Sequence, residues 1–465
     1  MTRPRLAAAG AAMAALVSLL AATGCRARQP AAPAVPPYEF IKWGSPKPIS
    51  ERVAAPQYTL PDGWKEAVAG VMRIRVSSSG ALRNDPATVA NARRFQELTG
   101  ILVEILPWAE PVVEARTVAV LSARSDAVDV LCYDHAVSYA HLVGGGWLEP
   151  VDALWNDPNI WKNYPQALQK GLTAPDGSIY GSIGRVSAEM LYYRPSVVAS
   201  PPRTWLEVRQ TARKVPGMWG FVFGAGGRGD IIVAFSAMVY SQGGRLVDSA
   251  RQRLVVSSPE GRNAWQLLTD MVLVDRSAPG LAAEYSAMEA ADAFALGRAA
   301  MVLAGTTETD RFRNPQTAPG LKGDWAAVPA PKWGPEQADT SRTAALDLEG
   351  YAINRFIDDK TKAAALLFLD FMRSHEASLR ELTDEGNEAA LLTVHDLPAA
   401  KKIAFPDARR LAVANSVLEA LPSAGRAVTG LVGEYFARAA GGSLDAAGAL
   451  EELQARLDEY AVPEN

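Results

Sequence analysis

From residue 73 onward the apolar positions alternate between the two-residue period of strands and the longer period of helices. "RIRVSS" reads as a strand, and Asp85 with Pro86 marks a helix start whose apolar face is Val89, Ala92, Phe95 and Leu98 and whose stop is Gly100. "ILVEIL" predicts the next strand, a helix follows over about 111–122, "VDVLCY" predicts a third strand, and another helical stretch closes at 144–146. This order predicts a parallel-rich α/β lobe with ligand contacts at the carboxyl ends of its strands.

The alternation then resumes with new punctuation. "SPPRTWLEV" offers Thr204 and Glu207 as a capping box, and "SSPEGRNAWQLL" offers Ser258 as a cap with Pro259 in the first turn. Between them "WGFVF" predicts a strand, "DIIVAFSAMVYS" a helix and "RLVDSARQRLVV" a hairpin, which together make a second α/β unit. After "AAMVLAG" the pattern turns irregular, and beyond about residue 355 it is almost wholly helical. No internal repeat of fixed period is present.

The amino end has a different pattern. Arg3 and Arg5 precede an apolar run over 6–20 that ends in small residues before Cys25, the form of a secretory signal and too short for a convincing membrane span. Ala22, Thr23, Gly24 and Cys25 resemble the bacterial lipobox, which implies lipidation at Cys25; Ala22 stands where leucine is usual, and plain cleavage leaving a free thiol is the alternative. The proline-rich stretch 26–70 predicts an extended tether holding a globular body away from the bilayer. The expected location is therefore outside the cytoplasm, periplasmic or at the cell surface, anchored by lipid.

Composition narrows the class. The chain has 465 residues, of which 48% are apolar, enough for two or three domains with substantial cores. Its formal net charge of -4 and lack of a basic block argue against a nucleic-acid partner. Two cysteines allow no disulfide framework, and Cys132 inside "VDVLCY" reads as a small core residue.

Catalytic patterns are scarce. His135, His141, His375 and His395 stand in no HExxH or CxxC context, so no metal site is expected, and "YGSIGR" lacks the GxSxG spacing around Ser182. "GAGGRG" fits GxGxxG through Gly224, Gly226 and Gly229, with Asp248 further on, but its mid-chain place, the hairpin after it and the export signal argue against a dinucleotide. No cofactor is expected. Gly226 and Asp230 remain as a loop able to meet a ligand, with a turn capped by Asp230 as the alternative.

Seven segments in order, "ARRFQELTGILVEI", "VDVLCYDHAVSYAHLVGGGWLEPVD", "DGSIYGSIGRVSAEMLYYRPSVV", "PPRTWLEVRQTARKV", "QGGRLVDSARQRLVVSSPEG", "AFALGRAAMVLAG" and "EGYAINRFIDDKTKAAALLFLDFMRS", resemble the family 1 extracellular solute-binding proteins of bacterial ABC importers, the group that includes maltose-binding protein. The resemblance runs from about Val71 onward. It implies an α/β fold of two hinged lobes, each a mixed sheet flanked by helices. One lobe is expected over 71–184 and 305–355 and the other over 185–304 and 356–465, with crossings near 184–187, Gly305 and 354–358.

By the same resemblance Ser79, Trp108, Tyr133, Asp134, Thr307 and Glu349 fall where cleft loops meet ligand, Tyr133 by stacking and Asp134 by accepting from hydroxyls. The alternative for Tyr133 is a core position. Sugar-binding relatives often carry tryptophan after the glycine that ends the "AMVLAG" strand, where this chain has Thr306, Thr307, Glu308 and Thr309. The implied function is non-enzymatic: a monomeric, lipid-anchored binding protein that hands a small solute, foremost a sugar, to permease subunits. A secreted carbohydrate-active enzyme working through two carboxylates, and a ligand-presenting partner of a membrane sensor, are the alternatives.

Overall fold

The computed structural model describes residues 37–78, 85–109, 112–226, 230–248, 253–280, 285–338, 344–422 and 425–460. The signal segment, Cys25 and Ser79 lie outside the described residues. The strands are β1 (Arg73–Ser78), β2 (Leu102–Pro107), β3 (Val130–Asp134), β4 (Leu148–Glu149), β5 (Gly181–Tyr193), β6 (Val247–Asp248), β7 (Arg253–Leu254), β8 (Met301–Gly305), β9 (Ala326–Pro329) and β10 (Leu346–Asn354). A mixed sheet runs β2-β1-β3-β10-β5-β8, with β4 on β10 and β9 on β5, and β6-β7 form a separate hairpin.

β1 pairs in parallel with β2 and β3, as a βαβ reading requires, while β10 enters antiparallel between β3 and β5. The 13-residue β5 joins the two lobes: Gly181 to Ala188 pair with β10, and Glu189 to Tyr193 pair with β8. Along that second half, Met190 and Tyr192 enter one buried cluster and Leu191 another, as the two-residue period dictates.

Local signals explain the helices. Asp85 accepts from the Ala87 and Thr88 amides, Pro86 opens the helix Pro86–Thr99, and Gly100 closes it at φ 77°. The buried face is Ala87, Thr88, Asn91 and Phe95, not the expected face with Val89, which is 37% exposed. The helix packs mainly against the chain that returns near residue 370, where Phe95 meets Phe368 and Phe371 edge to face and at a tilt. Thr204, Ser258 and Asp445 cap their helices as oxygen acceptors. "WGFVF" forms no ladder; Trp219 and Val222 make isolated bridges to Ala299 and Val302.

Three expectations about domain extent change. Residues 37–70 are not all tether: Ile41, Ile49, Val53 and Tyr58 are buried in the same cluster as β1, and Ser50 donates from its backbone to Asp157 at 2.7 Å. The helix Asp359–Met372 packs against this strap, β10 and the first long helix, so it sits with the first lobe because its Phe368 and Phe371 complete that core. Finally, β9 pairs with Met190 to Tyr193 on the edge of β5 opposite β8, which keeps residues 326–329 at the second lobe. Asn354, offered as a crossing, donates to the Ser125 and Val128 carbonyls inside the first lobe. A crossing not anticipated runs through 417–421, where Val417 bonds Ala344 and Leu346 and Leu421 donates to Ala136.

Candidate functional site

The crossing strands carry a polar face. On β5 Arg185, Ser187 and Glu189 alternate with the buried Val186 and Ala188, and on β10 Asp347 and Glu349 alternate with the buried Leu346 and Leu348. Register places Glu349 between Asp134 of β3 and Arg185 of β5, and Asp347 opposite Ser187. Arg185 donates from Nε to Glu349 Oε2 at 2.7 Å, and its Nη2 lies 2.7 Å from the same oxygen. Gly305 follows alongside: a Cβ there would lie 3.3 Å from Ser187 Oγ, 3.4 Å from Thr307 Oγ1 and 3.7 Å from Glu189 Oε1.

Asp85, Glu385, Asn387 and Thr307 close this face into a cavity of about 500 Å³. Its electrostatics are set by crowded carboxyls. Glu189 is pushed up to about 8 by burial and then by Asp347 and Glu308. Asp347 opens to the cleft, yet protein packed around it, followed by Asp134 and Glu349, pushes it up to about 7 against the opposing pull of Arg185. Glu385 is raised by burial and by its hydrogen-bonded neighbour Asp85. Burial works against the Arg185 charge, but Glu349 more than offsets it and raises the guanidinium.

The residues expected from sequence separate into two groups. Thr307 and Glu349 line the cavity, and Asp134 adjoins Glu349 while accepting from the Val137 amide. Tyr133 is a correction: at 3% exposure it stacks on Tyr139 and lies under Gly181 and Gly350, where an added Cβ would come within 2.0 and 2.5 Å of its hydroxyl. Strand alternation turns it to the opposite face from Asp134, so its ring meets core. Trp108 packs partly against that same cluster with the Arg116 guanidinium 5.7 Å over its ring, away from the cavity wall.

Gly226 and Asp230 lie elsewhere. The Gly226 amide donates to the Tyr285 carbonyl at 2.7 Å. Asp230 does not cap its own helix; its carboxylate accepts from the Ala287 amide at 2.8 Å, fastening two helix starts together. Neither lines the cavity. Cys132, expected in the core, is half-buried against it, and burial followed by Glu349 raises its thiol above the ordinary range.

Sequence reasoning missed Arg185, Ser187, Glu189 and Asp347. Their signal was present in "RVSAEM" and "LDLE", where polar positions recur every second residue inside otherwise apolar strands. Among the described residues no group of three or more His, Cys, Asp or Glu has metal-holding geometry, and no helix is long and apolar enough to cross a membrane.

Two lobes joined by continuous strands, with a polar cavity at the junction, define a binding fold, and residues 82–378 match the bacterial extracellular solute-binding protein family, to which the chain belongs. Among solved structures, maltose-bound MalE3 of Thermotoga maritima is similar at 22% identity and TM-score 0.69, over 83% of this chain and 99% of that one. The sugar-binding protein MalE of Xanthomonas citri is similar at 16% identity and TM-score 0.70, over 83% and 97%. A ribitol-bound ABC-transporter solute-binding protein of Agrobacterium radiobacter gives 19% and 0.68, over 84% and 99%.

Proposed function

We propose that this chain captures a small polyhydroxylated solute, a sugar, oligosaccharide or sugar alcohol, between its lobes and delivers it to the permease of an ABC importer. The observation that carries this reading is the polar row of Asp134, Glu349, Arg185, Ser187 and Asp347, laid across the strands that join the lobes. Carboxylates, a guanidinium and hydroxyls in a cleft supply directional partners for hydroxyl groups. Because those partners stand on joining strands, a solute contacting both lobes favours their closed arrangement by its extra contacts there. The maltose and ribitol named for similar structures agree with such a ligand. Lipidation at Cys25 would keep the protein at the membrane, and the protein acts as a monomer without turnover.

A thermal-shift titration of the purified protein tests this. Maltose, maltooligosaccharides, pentitols, hexoses and amino sugars are the panel, and one class should raise the melting temperature saturably, since 100-fold excess over Kd adds about 2.7 kcal/mol. Cleavage of a glycan by the protein, or no shift across the panel, contradicts the reading.

A further inference from the structure

Among the described residues the cavity wall is unbalanced in charge. Arg185 is its one basic side chain among the described residues, and two of its nitrogens are already engaged by Glu349. Neither Asp347 nor Glu189 makes an ion pair among the described residues, and Glu308 beside them is taken by Arg311 at 3.0 Å. At the other end of the wall Asp85 and Glu385 add two further carboxyls, and burial followed by Asp85 raises Glu385. Thr307, on the cavity wall with Ser187, offers a small hydroxyl and no apolar ring face.

We propose that the solute carries a protonated amine, as an amino-substituted sugar or cyclitol does, and that its ammonium group sits against Asp347 on the junction face. This rests on the solute-binding reading and specifies the ligand's charge. Without ligand, burial and the neighbouring carboxyls push Glu189 and Asp347 up toward their protonated forms. An ammonium replaces them with up to three charge-assisted donors. The free amine's cation enters, the Asp347 carboxyl gives its proton to buffer, and charge balances. Arg185 and Glu349, mutually neutralised, remain available to the ligand's hydroxyls.

The test is calorimetric titration at pH 6.5 with three probes, D-glucosamine, N-acetyl-D-glucosamine and D-glucose, in buffers of different ionisation enthalpy. D-glucosamine should bind at least tenfold tighter than the other two and release protons on binding. Asp347→Asn should lose that preference while keeping the wild-type melting temperature; if it misfolds, the proton release measured on wild type still decides. Equal affinity for D-glucose and D-glucosamine, or preference without proton release, overturns the inference and leaves a neutral-solute binding protein standing. Failure of every amine and neutral sugar alike overturns both readings.

Discussion

Asp370→Ala lowers the unfolding free energy by about 3–5 kcal/mol, measured by urea denaturation. Asp370 is fully buried and is held by the Arg52 guanidinium, by Tyr58 Oη at 2.6 Å and by Arg373 Nη2 at 2.8 Å. Both arginine side chains are likewise without exposed surface, and the Arg373 guanidinium lies 4.5 Å from the Trp155 ring centroid. Burial alone would raise the Asp370 pKa, but Arg52 and Arg373 outweigh it and keep the carboxyl below its ordinary value. Removing it strands two guanidinium charges in a region closed to water. The cost comes from those unpaired charges, so the Arg52→Met, Asp370→Leu, Arg373→Met triple variant, which removes both along with the carboxylate, should recover much of the loss. A loss below about 1 kcal/mol for Asp370→Ala would mean that the strap 37–70 is not integral to the first lobe.

Stability should also fall as pH rises from 6.5 to 8, opposite to the usual carboxylate behaviour. Glu189 at about 8, Asp347 at about 7 and Glu381 at about 7 hold protons in the folded chain that the unfolded chain has already lost. Glu381 is 3% exposed and accepts from the Asn91 and Asn387 amides, so burial is the first cause of its shift and Asp85 the second. Their stabilisation is complete below the unfolded carboxylate range and disappears as pH passes the folded values. Each such group changes stability by at most about 1.4 kcal/mol per pH unit, and Asp347, open to the cleft, by less. The buried histidines act in the other direction but lower down: burial holds His135 at about 3 and lowers His375 and His395, so their contribution levels off by about pH 7.5, a unit above the ordinary histidine value. Thermal melts at pH 6.5, 7.25 and 8 should show a falling midpoint, flattened in Glu381→Gln. A midpoint rising with pH would contradict the assignment.

Local signals carried the elements because they act within a few residues. Asp85, Pro86 and Gly100 bounded a helix correctly, while its buried face differed because Phe368 and Phe371, more than 270 residues away, decide which side is covered. The same reason hid the site. Asp134, Glu349 and Arg185 become neighbours only through the antiparallel entry of β10, a pairing that spacing in the sequence does not encode. Tyr133 and Asp134 were adjacent in sequence and expected together, yet consecutive strand residues face opposite sides, which sends one to the core and the other to the cleft. The strap was misread for a related reason: its prolines suggested an extended chain, but Ile41, Ile49 and Val53 find partners in the first lobe.

The most direct measurement of the account is small-angle X-ray scattering across a titration with the solute that gives the largest thermal shift. Closure of the two lobes about β5 and β10 predicts a radius of gyration that falls saturably with the same midpoint as binding. Saturated binding with unchanged dimensions would contradict a hinged solute-binding protein.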